Sequence, residues 1–126
     1  MEQVNKIDWE KMDGLIPVIT QDATTNEVLM LAYMNKEALE LTIKTNYAHY
    51  YSRSKQRLWK KGESSNHLQE IVNILVDCDN DTILLKVNQE GVACHTGRKS
   101  CFFTDLNTNE TICDVQIDTS SAYGVI

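Results

Sequence analysis

Proline is almost missing from this chain, with Pro17 alone among 126 residues, and glycine occurs only five times. That excludes a collagen-like or Pro/Gly-rich linker composition. No Cys-x-x-Cys pair occurs, and the intervals from Cys78 to Cys94 to Cys101 do not match the close ligand pairs of structural zinc sites. The His-x-Glu and Pro-Cys-x-x-Cys signature of zinc-dependent nucleobase deaminases is also missing. Basic residues are in the minority, 12 against 18 acidic, for a net charge of -6. Non-specific nucleic-acid binding, which needs basic surface to displace counterions, is therefore not expected. No apolar run has the length of a signal peptide or a membrane span. A cytoplasmic chain with reduced thiols is expected, without membrane contact and without disulfides.

What remains reads as one domain, residues 1–126, with no internal repeat or linker. Residues 15–20 and 28–34 are apolar and β-prone, and the polar stretch 22–26 between them signals a hairpin. Asn35 can cap a helix over 36–44, which places Ala38, Leu39, Thr42 and Ile43 on one side. Segments 48–53 and 56–60 are strand-like, and strands are expected at 68–76, 82–88, 100–106 and 111–117. One helix among many short antiparallel or mixed strands predicts an α+β fold of the α/β-roll kind.

The chemistry concentrates in Asp77-Cys78-Asp79-Asn80-Asp81 and in the segment holding Cys94 and Cys101. Continued as a strand, the pentapeptide places Asp77, Asp79 and Asp81 on one face and Cys78 on the other. Carboxylates suit a hard ion such as Mg²⁺ and thiolates suit Zn²⁺, so the pentapeptide reads as serving two metals. A solvated polar turn is the plainer meaning of the aspartates, and three buried structural cysteines that of the thiols. Thr82 and Asn88 stand where an EF-hand loop needs glycine and glutamate, so that motif is excluded. The glycine and polar residues around Cys94 and Cys101 argue against a hydrophobic strand interior there. Three thiolates without a clear fourth protein ligand leave a position for water, as catalytic zinc sites do. A closed four-ligand site would instead indicate a non-catalytic zinc-binding interaction module. His95 is the candidate for proton transfer beside that water. His49 reads as packing, and Cys113 as an ordinary core residue.

Five of the 12 basic residues lie in residues 51–65. Arg53, Lys55, Lys60, Ser64 and Ser65 suit phosphate oxygens, and Trp59 suits stacking on a base. A solvated hairpin and a core tryptophan are the plainer alternatives.

The strings Val28 to Asn35, Ser52-Arg53-Ser54, Leu58 to Ser65, Asp77 to Asp81 and Ala93 to Gly97, with Ser100-Cys101-Phe102-Phe103, together resemble the phosphoribosyl-AMP cyclohydrolase family. The resemblance implies the third step of histidine biosynthesis, in which zinc-bound hydroxide opens the adenine ring of 1-(5-phosphoribosyl)-AMP between N1 and C6. It also implies one zinc per subunit on Cys78, Cys94 and Cys101, with Cys78 from one chain of a homodimer and the other two from its partner. One magnesium per subunit on Asp77, Asp79 and Asp81 is implied as well. Lys55 departs from the arginine, and Asn66 from the glycine, that the family usually carries. The chain ends soon after Cys113, so no fused pyrophosphohydrolase domain is expected.

Overall fold

A computed structural model describes residues 1–117. A short 3-10 turn, Val4–Lys6, leads to β1 (Ile16–Asp22), β2 (Val28–Met34), α1 (Lys36–Thr45), β3 (His49–Ser52), β4 (Arg57–Lys60), β5 (Gln69–Val76) and β6 (Ile83–Gln89). Four strands form one sheet in the order β2-β1-β6-β5, and β3 pairs with β4 in a separate hairpin. Within the sheet β1 runs parallel to β6, while β2 and β5 are antiparallel to their neighbours. The parallel pair follows from connectivity, because α1 and the β3-β4 hairpin lie between those two strands in the chain.

Alternation along β1 buries Ile16, Val18, Thr20 and Asp22, and β6 buries Ile83, Leu85 and Val87 beside them. Helix α1 covers this face with Ala38, Leu39 and Thr42. Its start is fixed by Asn35, whose side chain accepts from the Ala38 amide at 2.8 Å. Its end is fixed by Asn46, which takes the left-handed conformation at φ 67°. The turn between β1 and β2 is held by Asp22, whose carboxylate accepts from the amides of Thr24 and Thr25.

One helix and mixed sheets in a single unit are as the sequence predicts, and two strands are not. Residues 100–106 and 111–117 form no strand; the only pairing there is an isolated bridge between Thr104 and Thr111. Phe102, Leu106 and Ile112 are exposed, so no buried face rewards extended pairing. Cys113 is half-buried rather than a core residue. Among the described residues, no helix is long and apolar enough to cross a membrane.

Candidate active site

Strand β5 ends at Val76, so strand alternation does not continue through the aspartates. Residues 77–82 turn instead, with Asn80 at φ 63°. The Asp77 amide donates to the Thr82 carbonyl, and the Asp77 carboxylate accepts from the amides of Asp81 and Thr82. This turn still gathers Asp77, Asp79 and Asp81, whose ligand oxygens lie within 4.8 Å of one another. They form the only such three-residue group among the described residues. The Lys11 ammonium lies against it, 3.2 Å from Asp79 and 2.9 Å from Asp81. Hydrogen bonding to Lys11 holds the Asp81 carboxyl below its ordinary range, and the same contacts raise the Lys11 pKa. A cation therefore already sits among hard oxygen donors, and this donor set fits Mg²⁺.

The segment with Cys94 and Cys101 is anchored on β2. Cys101 donates its amide to the Leu29 carbonyl at 2.7 Å, and the Ser100 hydroxyl donates to the Val28 carbonyl at 2.7 Å. Lys99 pairs with Asp22 at 3.2 Å and Glu27 at 3.4 Å, tying the same segment to the β1-β2 turn. Cys94 opens a tight turn in which its carbonyl accepts from Gly97. Gly97 has φ 87°, and a Cβ there would collide with the Ile117 carbonyl, so only glycine fits. Cys94 is buried, and its sulfur accepts from the Thr96 hydroxyl at 3.0 Å.

The Cys94 and Cys101 thiols act on one another, and burial together with Cys94 pushes the Cys101 thiol up to about 11. Two adjacent sulfurs suit a soft ion, and an ion bound there would reverse that shift by deprotonating them. His95 is exposed on the turn directly after Cys94. Cys78, exposed in the aspartate turn, is not brought to these thiols within the chain. It follows β5, whereas Cys101 is bonded to β2 at the other edge of the sheet, three inter-strand spacings or roughly 14 Å away.

The β3-β4 hairpin bounds a cleft of about 390 Å³ lined by Tyr33, Tyr51, Arg53, Lys55, Arg57 and Trp59. The Arg53 guanidinium stacks 3.9 Å from the centre of the Tyr33 ring, and Arg57 pairs with Glu63. Of the residues singled out in the sequence, Arg53, Lys55 and Trp59 line the cleft. Lys60, Ser64 and Ser65 do not: the Lys60 ammonium lies over the Tyr47 ring, Ser64 is exposed, and the Ser65 hydroxyl accepts from the His67 amide. Asn66 takes the left-handed conformation at φ 64°.

Trp59 lines the cleft and packs beside Lys61, which donates to the Ala93 carbonyl next to Cys94. The Trp59 ring packs 5.1 Å from that of Tyr50, and the Lys61 ammonium lies 5.8 Å from its centre. Lys61 is buried and feels the charges of both Cys101 and Cys94. Beneath lies a buried network in which the Tyr50 hydroxyl bonds Gln69 at 2.6 Å and Thr20 at 2.7 Å. Arg57, Lys61 and Lys11 were not singled out from sequence. Alternation along β4 past Trp59 is the signal that points Lys61 inward, whereas Lys11 carries no local signal.

The phosphoribosyl-AMP cyclohydrolase family model matches residues 30–103. The chain is 60% identical over 122 residues to the histidine biosynthesis bifunctional protein HisIE of Wolinella succinogenes; the match covers 95% of this chain and 53% of that protein, so the chain spans about half its length. It is 54% identical over 105 residues to a phosphoribosyl-AMP cyclohydrolase of Clostridium botulinum, covering 83% of this chain and 96% of the relative. A phosphoribosyl-AMP cyclohydrolase of Archaeoglobus fulgidus is 59% identical over 100 residues, covering 79% and 93%. With the cleft, the paired thiols and the aspartate turn all within or beside the matched span, the chain belongs to the phosphoribosyl-AMP cyclohydrolase family of hydrolases.

Proposed function

We propose that the chain hydrolyses the N1–C6 bond of the adenine ring of phosphoribosyl-AMP, in histidine biosynthesis, at a zinc centre shared between two copies. The observation that carries this reading is the run of contacts from the basic, aromatic cleft through Trp59 and Lys61 to the Ala93-Cys94 peptide. A phosphorylated purine fits that layout. Arg53, Lys55 and Arg57 offer charge-assisted bonds to phosphate oxygens, and Trp59 offers a face to the base. Zinc held by Cys94, Cys101 and Cys78 of a second copy would supply a water acidified to near neutrality as the nucleophile for C6. His95, one residue from Cys94 and open to solvent, carries protons to and from the reacting ring nitrogen. Asp77, Asp79 and Asp81 hold magnesium in exchange for Lys11.

The second copy is supported by two features. Cys78 and Cys101 lie at opposite edges of one sheet, so one chain does not complete a three-thiolate site. The sheet face turned away from α1 also carries an unbroken apolar row across all four strands, Leu31-Ile19-Leu84-Leu75 in register. Leu31 and Leu75 are each 47% exposed, which suits a self-complementary contact about a two-fold axis.

The test is an assay of phosphoribosyl-AMP ring opening in metal-stripped protein, with zinc and magnesium restored separately. Turnover should return only when zinc is present, and Cys101→Ser should lose both tight zinc and turnover while remaining folded. Full turnover of Cys101→Ser without zinc would refute the proposal.

A further inference from the structure

Lys61 is a buried ammonium that forms no ion pair with any carboxylate among the described residues. Its hydrogen-bond partner is the Ala93 carbonyl, immediately before Cys94. The Ala93 carbonyl places the ammonium beside the Ala93-Cys94 peptide, where the charges of Cys101 and Cys94 act on it; the Trp59 ring centre lies 5.8 Å away, and Trp59 lines the cleft while Lys61 does not. Leaving an unpaired charge in a protein interior costs several kcal/mol, so buried cations are kept where a counter-charge is provided. Among the described residues, the groups whose negative charge acts on Lys61 are the two thiols.

We infer that Lys61 is a positioning residue for the metal centre: its buried ammonium is the fixed counter-charge of the thiolates and holds the Ala93-Cys94 peptide in its ligating orientation. The inference rests on the zinc reading of Cys94 and Cys101. Zn²⁺ with three thiolates carries one net negative charge, and Lys61 brings the buried assembly to neutrality. A second protein cation is therefore not needed. Because Lys61 is buried and does not line the cleft, it acts on the ligands and does not touch the purine.

The experiment compares wild type, Lys61→Met and Lys61→Gln as full-length protein. Lys61→Met keeps the apolar stem and removes the charge. Lys61→Gln keeps a hydrogen-bond donor and is the fallback if Lys61→Met does not fold. Zinc affinity is read by competition with a chromophoric chelator, and the site is also loaded with Co²⁺ to record the thiolate-to-metal charge-transfer band. Both variants should bind zinc about tenfold to a hundredfold more weakly, about 1.4 to 2.7 kcal/mol by the usual conversion. The cobalt band should move to lower energy, because removing a cation beside sulfur raises the donor electrons. A tie that is merely structural would lower thermal stability without moving that band. Zinc affinity within about twofold of wild type in a folded variant overturns the inference. A Cys101→Ser variant that binds zinc as tightly as wild type would instead overturn the zinc reading beneath it.

Discussion

Mixing two dead proteins offers the sharpest test of a shared centre. Cys78→Ser removes the ligand from the aspartate turn, and Cys94→Ser removes one from the segment anchored on β2. Each homodimer then lacks a ligand at both sites and should be inactive. In a heterodimer about a two-fold axis, one site has lost both ligands and the other keeps all of its own. Random exchange of equal amounts gives about half heterodimers, each with one of two sites intact, so roughly a quarter of wild-type activity should return by this symmetry. The structure makes the alternative equally definite. If a single chain bent to bring Cys78 across the roughly 14 Å between the sheet edges, every chain in the mixture would still lack a ligand and nothing would return. The assay is ring opening measured before and after exchange, with exchange verified by native mass spectrometry. Inactivity in a mixture whose heterodimers are demonstrated would refute the shared-site reasoning.

Other expectations follow from single contacts. Asp79→Asn should raise the magnesium concentration needed for half-maximal activity roughly tenfold or more, with zinc content by metal analysis unchanged; parallel loss of zinc would mean the two centres are one. Tyr50→Phe strips the Gln69 and Thr20 side chains of a buried partner, which costs about 1 to 3 kcal/mol and lowers the melting temperature by roughly 4 °C per kcal/mol in calorimetry. Burial opposes ionisation of Asp22, but the amides of Thr24 and Thr25 together with Lys99 outweigh it and hold the carboxyl below its ordinary range. Its charge therefore stabilises the fold above the unfolded-state carboxylate range, and that contribution fades as pH falls through the lower native value. Asp22→Asn should thus be less stable than wild type by up to about 1 kcal/mol at neutral pH, and the gap should close in acid-titrated unfolding curves.

Local patterns fixed most of the fold before any tertiary contact is considered. The alternating apolar residues of β1 and β6, the Asn35 cap and the polar turn at Asp22 each act within a few residues, so their signals survive in the sequence. Residue type alone also singled out the three aspartates, which the structure gathers in one turn. The aspartates illustrate the limit of local reading: strand alternation and a tight turn both bring Asp77, Asp79 and Asp81 together, and only backbone hydrogen bonds between Asp77 and Thr82 decide for the turn. Segments 100–106 and 111–117 have strand-like composition, yet only Ser100 and Cys101 bond the β2 edge while Phe102, Leu106 and Ile112 stay exposed, so no continuous pairing forms. Tertiary structure alone bonds Lys61 to the Ala93 carbonyl beside Cys94, 32 residues away in sequence, sets Lys11 on the aspartates, and separates Cys78 from Cys101 by the width of a sheet. The reason is physical: propensity and periodicity encode which face a side chain takes, whereas which distant face it then meets depends on strand order, and strand order is decided by how the whole core packs.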